Sequence, residues 1–179
     1  SFASTAGVDL KPTTDHKKVQ SVVNGLRANG ETSLYAGVQK GVAALGTEGE
    51  RSIVLLSDGE DTVAEDDGGA ANEKSQLAAA LRALQQGKVR AEVVAFKNEA
   101  GQAVLKSFAK AGGGTMVNAA DREAVKSAFD TAAQTLQSFF TGGGSAREHA
   151  VFPLDSVRFL APVLHPPSVR MFEDETTFS

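Results

Sequence analysis

Ile53-Val54-Leu55-Leu56 is an unbroken apolar run that ends at Ser57-Asp58-Gly59. A strand with one face in water alternates apolar and polar residues. A run without alternation belongs to a strand covered on both faces, as the strands of parallel sheets are. Val89 to Phe96 reads as a second strand and Thr115-Met116-Val117 as a short third. The stretches between them are helical. Asn72 to Gln86 is rich in alanine and leucine and stops at Gly87, and Ala100 to Ala111 stops at Gly112-Gly113-Gly114. Asp121 is placed to cap a last helix, in which Val125, Ala128, Phe129, Ala132, Leu136 and Phe139 are expected to form the buried stripe. Strands and helices in alternation, with strands buried on both sides, imply an α/β fold. It is doubly wound, with a mostly parallel sheet and helices on both faces.

Ahead of the apolar run the pattern is helical twice. Asp15 is an N-cap, and Val19, Val22, Val23 and Leu26 follow on one face of an amphipathic helix that Asn29-Gly30 ends. Leu34, Val38, Val42 and Leu45 form the inward face of a second helix. Phe2 to Ser4 reads as the end of a strand and Gly7 to Leu10 as a short strand or bulge, so the chain is expected to begin mid-fold.

Past the last helix the composition changes. Gly142-Gly143-Gly144-Ser145 is a flexible linker by composition. Residues 147–179 hold four of the five prolines and show no helical period, and Val157 to Leu160 is the one strand candidate among them. A segment this short cannot bury a core of its own. The organisation expected is a domain over residues 1–140, a linker over 141–146, and a tail over 147–179 that is not an independent domain. No internal repeat is present.

Composition narrows the function classes. Of 179 residues, 41% are hydrophobic and 22% charged, a globular balance. The net charge of -4, with no basic stripe interleaved with aromatics, argues against nucleic acid as a partner. The chain has no cysteine, which removes disulfides, zinc thiolates and thiol nucleophiles. No window of 18 apolar residues offers a transmembrane helix, and no signal peptide opens the chain.

Two loops carry candidate chemistry. In open α/β sheets ligands bind at the carboxyl ends of the strands. Asp58 lies directly off the end of the apolar strand, and Thr32 lies in the loop before the second helix. A carboxylate and a hydroxyl on neighbouring loops are hard oxygen ligands, suited to Mg²⁺, Mn²⁺ or Ca²⁺. The plain structural roles stand beside these: Asp58 caps its turn with Gly59, and Thr32 N-caps the second helix. The acidic run Glu60, Asp61, Glu65, Asp66 and Asp67 reads as a solvated loop. Gly112-Gly113-Gly114-Thr115 lacks the lysine and the spacing of a phosphate loop. His16, His149 and His165 are far apart in sequence, and His16 is expected to be exposed in a first helical turn.

Gly30-Glu31-Thr32-Ser33-Leu34 and Leu55-Leu56-Ser57-Asp58-Gly59-Glu60-Asp61, with Phe2-Ala3-Ser4 at the start, resemble the von Willebrand factor A domain over roughly 140 residues. In that family an Asp-x-Ser-x-Ser loop, a threonine and an aspartate make a metal-ion-dependent adhesion site. The resemblance implies Thr32 and Asp58 as the metal ligands. No Asp-x-Ser-x-Ser occurs here, so the resemblance implies a domain lacking its first strand and helix. Its site for Mg²⁺, Mn²⁺ or Ca²⁺ is then incomplete and weak or without metal. It also implies a protein partner whose acidic side chain completes the metal shell, and a place at the bacterial cell envelope.

Phe152-Pro153-Leu154-Asp155-Ser156-Val157-Arg158-Phe159-Leu160-Ala161-Pro162 and His165-Pro166-Pro167-Ser168-Val169-Arg170 resemble the early part of fumarylacetoacetate hydrolase-family proteins, over about 30 residues. No catalytic residue of that family maps onto the tail. The leading expectation is therefore a protein-binding module and not an enzyme. The alternatives are a fragment of a metal-dependent hydrolase of that type, and a truncated or fused product without a function of its own.

Overall fold

The computed structural model describes residues 1–11, 13–27, 30–66, 69–96, 101–142 and 157–160. In chain order the elements are α1 (His16–Gly25), α2 (Leu34–Ala44), β1 (Arg51–Ser57), α3 (Thr62–Asp66), α4 (Gly69–Gly87), β2 (Val89–Phe96), α5 (Gln102–Ala111), β3 (Met116–Ala119), α6 (Arg122–Gly142) and β4 (Val157–Leu160). The strands form one parallel sheet in the order β3-β2-β1-β4. The fold is α/β and doubly wound, as the unbroken apolar run in β1 requires.

Each face of the sheet carries its own core. Ile53 and Leu55 of β1 join Ala91, Val93 and Ala95 of β2 beneath α2, α4 and α5, with Leu34, Val38, Leu84, Leu105 and Phe108. Val54 and Val94 face the other way and pack against Ala128, Ala132 and Leu136 of α6. Successive strand residues point to opposite faces, so this division explains why β1 cannot alternate polar and apolar residues. The glycines after α5 serve packing: a Cβ on Gly112 or Gly114 would run into the backbone of Ala91.

β4 lies along the edge of β1 that β2 leaves free, with Ser52 aligned to Val157 and Leu55 to Leu160. The tail thus contributes the strand its sequence suggested, at Val157–Leu160.

Three sequence expectations need correction. Phe2 to Ser4 is not a strand end. Phe2 makes an isolated antiparallel bridge to Ala6, in a turn closed by Gly7 N–H donating to Ser1 O at 2.9 Å. The ring of Phe2 is 1% exposed and rests on Gly37 of α2, where a Cβ would collide with it. No strand forms over Gly7 to Leu10. Asp15 does cap α1, accepting from Lys18 N at 3.1 Å, yet α1 buries no residue and Val23 is 56% exposed. Its apolar face has the expected period, with Val19, Val22 and Leu26 half-buried. Phe139 is also outside the buried stripe of α6. It is 39% exposed, with the guanidinium of Arg90 4.7 Å above its ring centre.

Candidate functional site at the carboxyl end of the sheet

Three loops meet where β1 ends. Ser57, fully buried, turns the chain there: its Oγ accepts from Gly59 N at 3.0 Å. Asp58 follows, half-buried, and Gly59 adopts φ 92°. That left-handed geometry favours glycine. A side chain at Gly59 would also strike the backbone of Gly101, and one at Gly101 would strike the Asp58 carbonyl. The Asp58 loop is therefore pressed directly onto the N-cap of α5.

The second loop, residues 30–33, is tied on both sides. Toward the amino terminus, Ser33 N donates to Ala3 O at 2.8 Å and Glu31 N to Ser4 Oγ at 3.0 Å. Toward β1, Thr32 N donates to Thr62 Oγ1 at 2.8 Å, and Thr32 O accepts from Val63 N at 3.2 Å. The strings Phe2-Ala3-Ser4, Gly30 to Leu34 and Leu55 to Asp61, distant in sequence, are thus laced into one structure that holds Thr32 and Asp58 on neighbouring loops.

Asp61 does much of this lacing. It is 6% exposed. Its Oδ2 accepts from Tyr35 N at 2.6 Å and its Oδ1 from Ala64 N at 2.8 Å. One carboxylate therefore caps α3 and α2 together. Sequence reasoning placed Asp61 in a solvated acidic run, and the structure corrects this for Asp61 alone, since Glu60 and Asp66 are exposed. Glu65's side chain and Asp67 lie outside the described residues. The only signal was Asp61-Thr62 standing just before a helix.

Thr32 is not the N-cap of α2. That position belongs to Ser33, whose hydroxyl makes no capping bond. Asp61 supplies the cap from another loop. Ser33 Oγ is buried without a hydrogen-bond partner among the described residues. Asp58 keeps part of its plain turn role: its Oδ1 accepts from Glu60 N at 3.4 Å. Burial lifts the Asp58 carboxyl above its ordinary range; the Glu60 N–H opposes this and the Glu60 charge adds to it. Burial also lifts the Asp61 carboxyl, against the two N–H groups that hold its anion.

A hard cation needs six or more oxygens. Thr32 and Asp58 are the right kind of donor but too few. No cluster of three or more carboxylate or imidazole groups suited to a metal occurs among the described residues. These residues do not make a complete cation site. His16 is exposed in α1 as expected; His149 and His165 lie outside the described residues, as does the tail's hydrolase-like sequence except Val157–Leu160. No helix among the described residues is long and apolar enough to cross a membrane.

At the opposite, amino end of the strands a cleft of about 630 Å³ is bordered by Arg51, Lys88, Arg90 and Phe139. Its guanidinium groups are engaged with helix ends. Arg51 donates to the carbonyls of Gly46 and Gly87, and Arg90 to that of Gly113. The cleft is thus bordered by helix ends and their carbonyls, away from Asp58.

The arrangement of strands and helices has a solved counterpart. The chain is similar in fold to BatB. That structure is of a conserved hypothetical protein from Bacteroides thetaiotaomicron, with a TM-score of 0.50 at 14% sequence identity, covering 74% of this chain and 77% of that one. No protein family and no curated protein matches the chain. At 14% identity the likeness to BatB concerns the fold.

Proposed function

We propose that this chain is a protein-binding module of the von Willebrand factor A type, with its contact surface at the carboxyl end of the sheet. The observation that carries the reading is Asp58. It stands off the end of β1 on a loop braced by Ser57 and Gly101, and burial raises the proton affinity of its carboxyl. A carboxylate kept partly out of water is disposed to take a cation from a partner or from solution. The Thr32 hydroxyl, on the loop tied to α3, is the second group of that surface. The BatB-like fold and the family-like strings around both residues support the same reading.

Mg²⁺, Mn²⁺ or Ca²⁺ would find two ligands here, so affinity is expected in the millimolar range or weaker. The test is a thermal melt of the purified chain with and without 5 mM of each cation. A ligand that binds only the folded state raises its stability by mass action, about 0.4 kcal/mol when its concentration equals the dissociation constant. A rise of about 1–2 °C is expected, and Asp58→Ala should abolish it. A response that survives in Asp58→Ala would remove the assignment of this surface.

A further inference from the structure

The cleft at the amino end of the strands plays no part in the Asp58 surface. Its volume of about 630 Å³ falls within the roughly 300–1,000 Å³ of small-molecule sites. Its charges do not cancel. Arg90 is matched by the buried carboxylate of Glu92. That leaves Arg51 and Lys88 with one acid, Glu50, along the lining, and among the described residues none of these three is in an ion pair. The outcome is a local excess of positive charge in a chain of net charge -4. Carbonyls at helix ends repel anions, but those of Gly46, Gly87 and Gly113 already accept from the two arginines.

Arg51 has donors beyond those the fold uses. A guanidinium carries five N–H groups. Nε donates to Gly49 O at 3.4 Å, one terminal nitrogen to Gly46 O and the other to Gly87 O. Among the described residues, one N–H on each terminal nitrogen has no acceptor. Two such donors on one guanidinium suit the two oxygens of a carboxylate.

Lys88 holds a backbone conformation that lysine rarely adopts. At φ 49° it is the one non-glycine at positive φ among the described residues. It turns the chain from α4 into β2, its N–H donating to Gln85 O at 3.1 Å. Glycine would make that turn without strain. The residue that bears the strain instead brings an exposed ammonium group to the cleft. Strain of this kind collects at functional sites. Phe139, 39% exposed, and half-buried Ala111 add apolar surface to the lining.

We propose that this cleft binds a small monocarboxylate with an apolar body. Arg51 and Lys88 hold the carboxylate, and the body lies along Phe139 and Ala111. Glu50 would repel a second negative charge, which selects against dicarboxylates. The site is at the other end of the strands from Asp58 and does not depend on the reading of that surface.

The test uses the full isotope-labelled chain, with hydrocinnamate as the probe and hydrocinnamyl alcohol as its uncharged counterpart. Amide NMR spectra should show saturable hydrocinnamate-dependent shifts at Gly49, Lys88, Val89, Gly112 and Gly113. The alcohol should bind about tenfold more weakly, the loss of one charge-assisted contact. Lys88→Gly, which suits the turn, should weaken hydrocinnamate binding by about as much, and Lys88→Arg, which keeps the charge, should stay within about twofold of the parent. Should Lys88→Gly fail to fold, Lys88→Gln, which keeps the stem and drops the charge, decides by the same loss. Absence of saturable shifts at those amides overturns the proposal. So does equal affinity for the alcohol, or an affinity that removal of the Lys88 charge leaves unchanged.

Discussion

Asp61 caps a helix to which it does not belong: its Oδ2 accepts from the backbone N–H of Tyr35 at 2.6 Å, across 26 positions of sequence. The same carboxylate accepts from Ala64 N at the start of its own helix. Asp61→Ala strands two buried donors. Each capping bond is worth roughly 1 kcal/mol, so a loss of about 2 kcal/mol is expected, or about 4–8 °C in Tm. Asp61→Asn keeps one acceptor oxygen and should lose about half as much. Equal losses in the two variants would contradict the shared-cap arrangement.

Asp58 gives a pH-dependent effect. Burial raises its folded-state pKa above the unfolded value, so the folded protein prefers the protonated acid. The stability this group contributes is present at low pH and is lost as pH rises through the folded pKa. Asp58→Asn stays neutral throughout. The variant should therefore be more stable than the parent at pH 7.5, and the advantage should vanish by about pH 2.5, more than a unit below the ordinary aspartate value. Urea denaturation at the two pH values measures it. A variant less stable than its parent at pH 7.5 would contradict the burial effect.

Gly59 and Gly101 make a second test of the site's frame. Gly59→Ala places a side chain at φ 92° against the Gly101 backbone. Strain of this kind costs about 1–3 kcal/mol, and the loop must move to relieve the clash. Loss of stability by at least 1 kcal/mol is expected, together with loss of any cation response at Asp58. Gly7→Ala, where a Cβ meets nothing within 4 Å, is the control.

On the α6 side of the sheet, Glu92 is 1% exposed and its Oε1 accepts from Arg90 Nε at 2.7 Å. Thr115 completes the shell, donating from its backbone N–H at 2.9 Å and from its hydroxyl. Arg90→Met leaves the carboxylate buried without its cation, a change that costs about 3–5 kcal/mol. Phe139→Leu removes only the ring under the guanidinium and should cost about 0.5–1 kcal/mol. Chemical denaturation of the two variants should preserve that order.

The sheet was readable because its signals are local. The apolar run Ile53–Leu56 implied burial on both faces, and Val89–Phe96 and Val157–Leu160 appear as strands with those bounds. The helix periods were equally clear, but a period says which residues share a face and nothing about what covers it. Val19, Val22, Val23 and Leu26 have the pattern of a buried stripe, yet the first two and Leu26 are only half-buried and Val23 is 56% exposed. The frame of the candidate site was legible only in part. Thr32 and Asp58 could be singled out by their loops, and those loops do meet. Asp61 could not, because a buried cap and a solvated acid look alike in a row of acidic residues. Phe139 was misplaced for a related reason: an aromatic ring at a stripe position packs inward unless a cation such as Arg90 offers it a partner at the rim.

The position of β4 has a consequence for synthesis. The strand that closes the edge of Leu55 is Leu160's, roughly a hundred residues later in the chain. At the usual rate of translation the gap lasts on the order of ten seconds. During that interval β1 can find β2, but its other edge stays open to whatever the nascent chain meets. Pairings this distant in sequence also slow folding after release. The growing chain is therefore most prone to mispair at Ile53–Leu56 before its own tail has emerged, and a chaperone that shields extended apolar segments would act on it there.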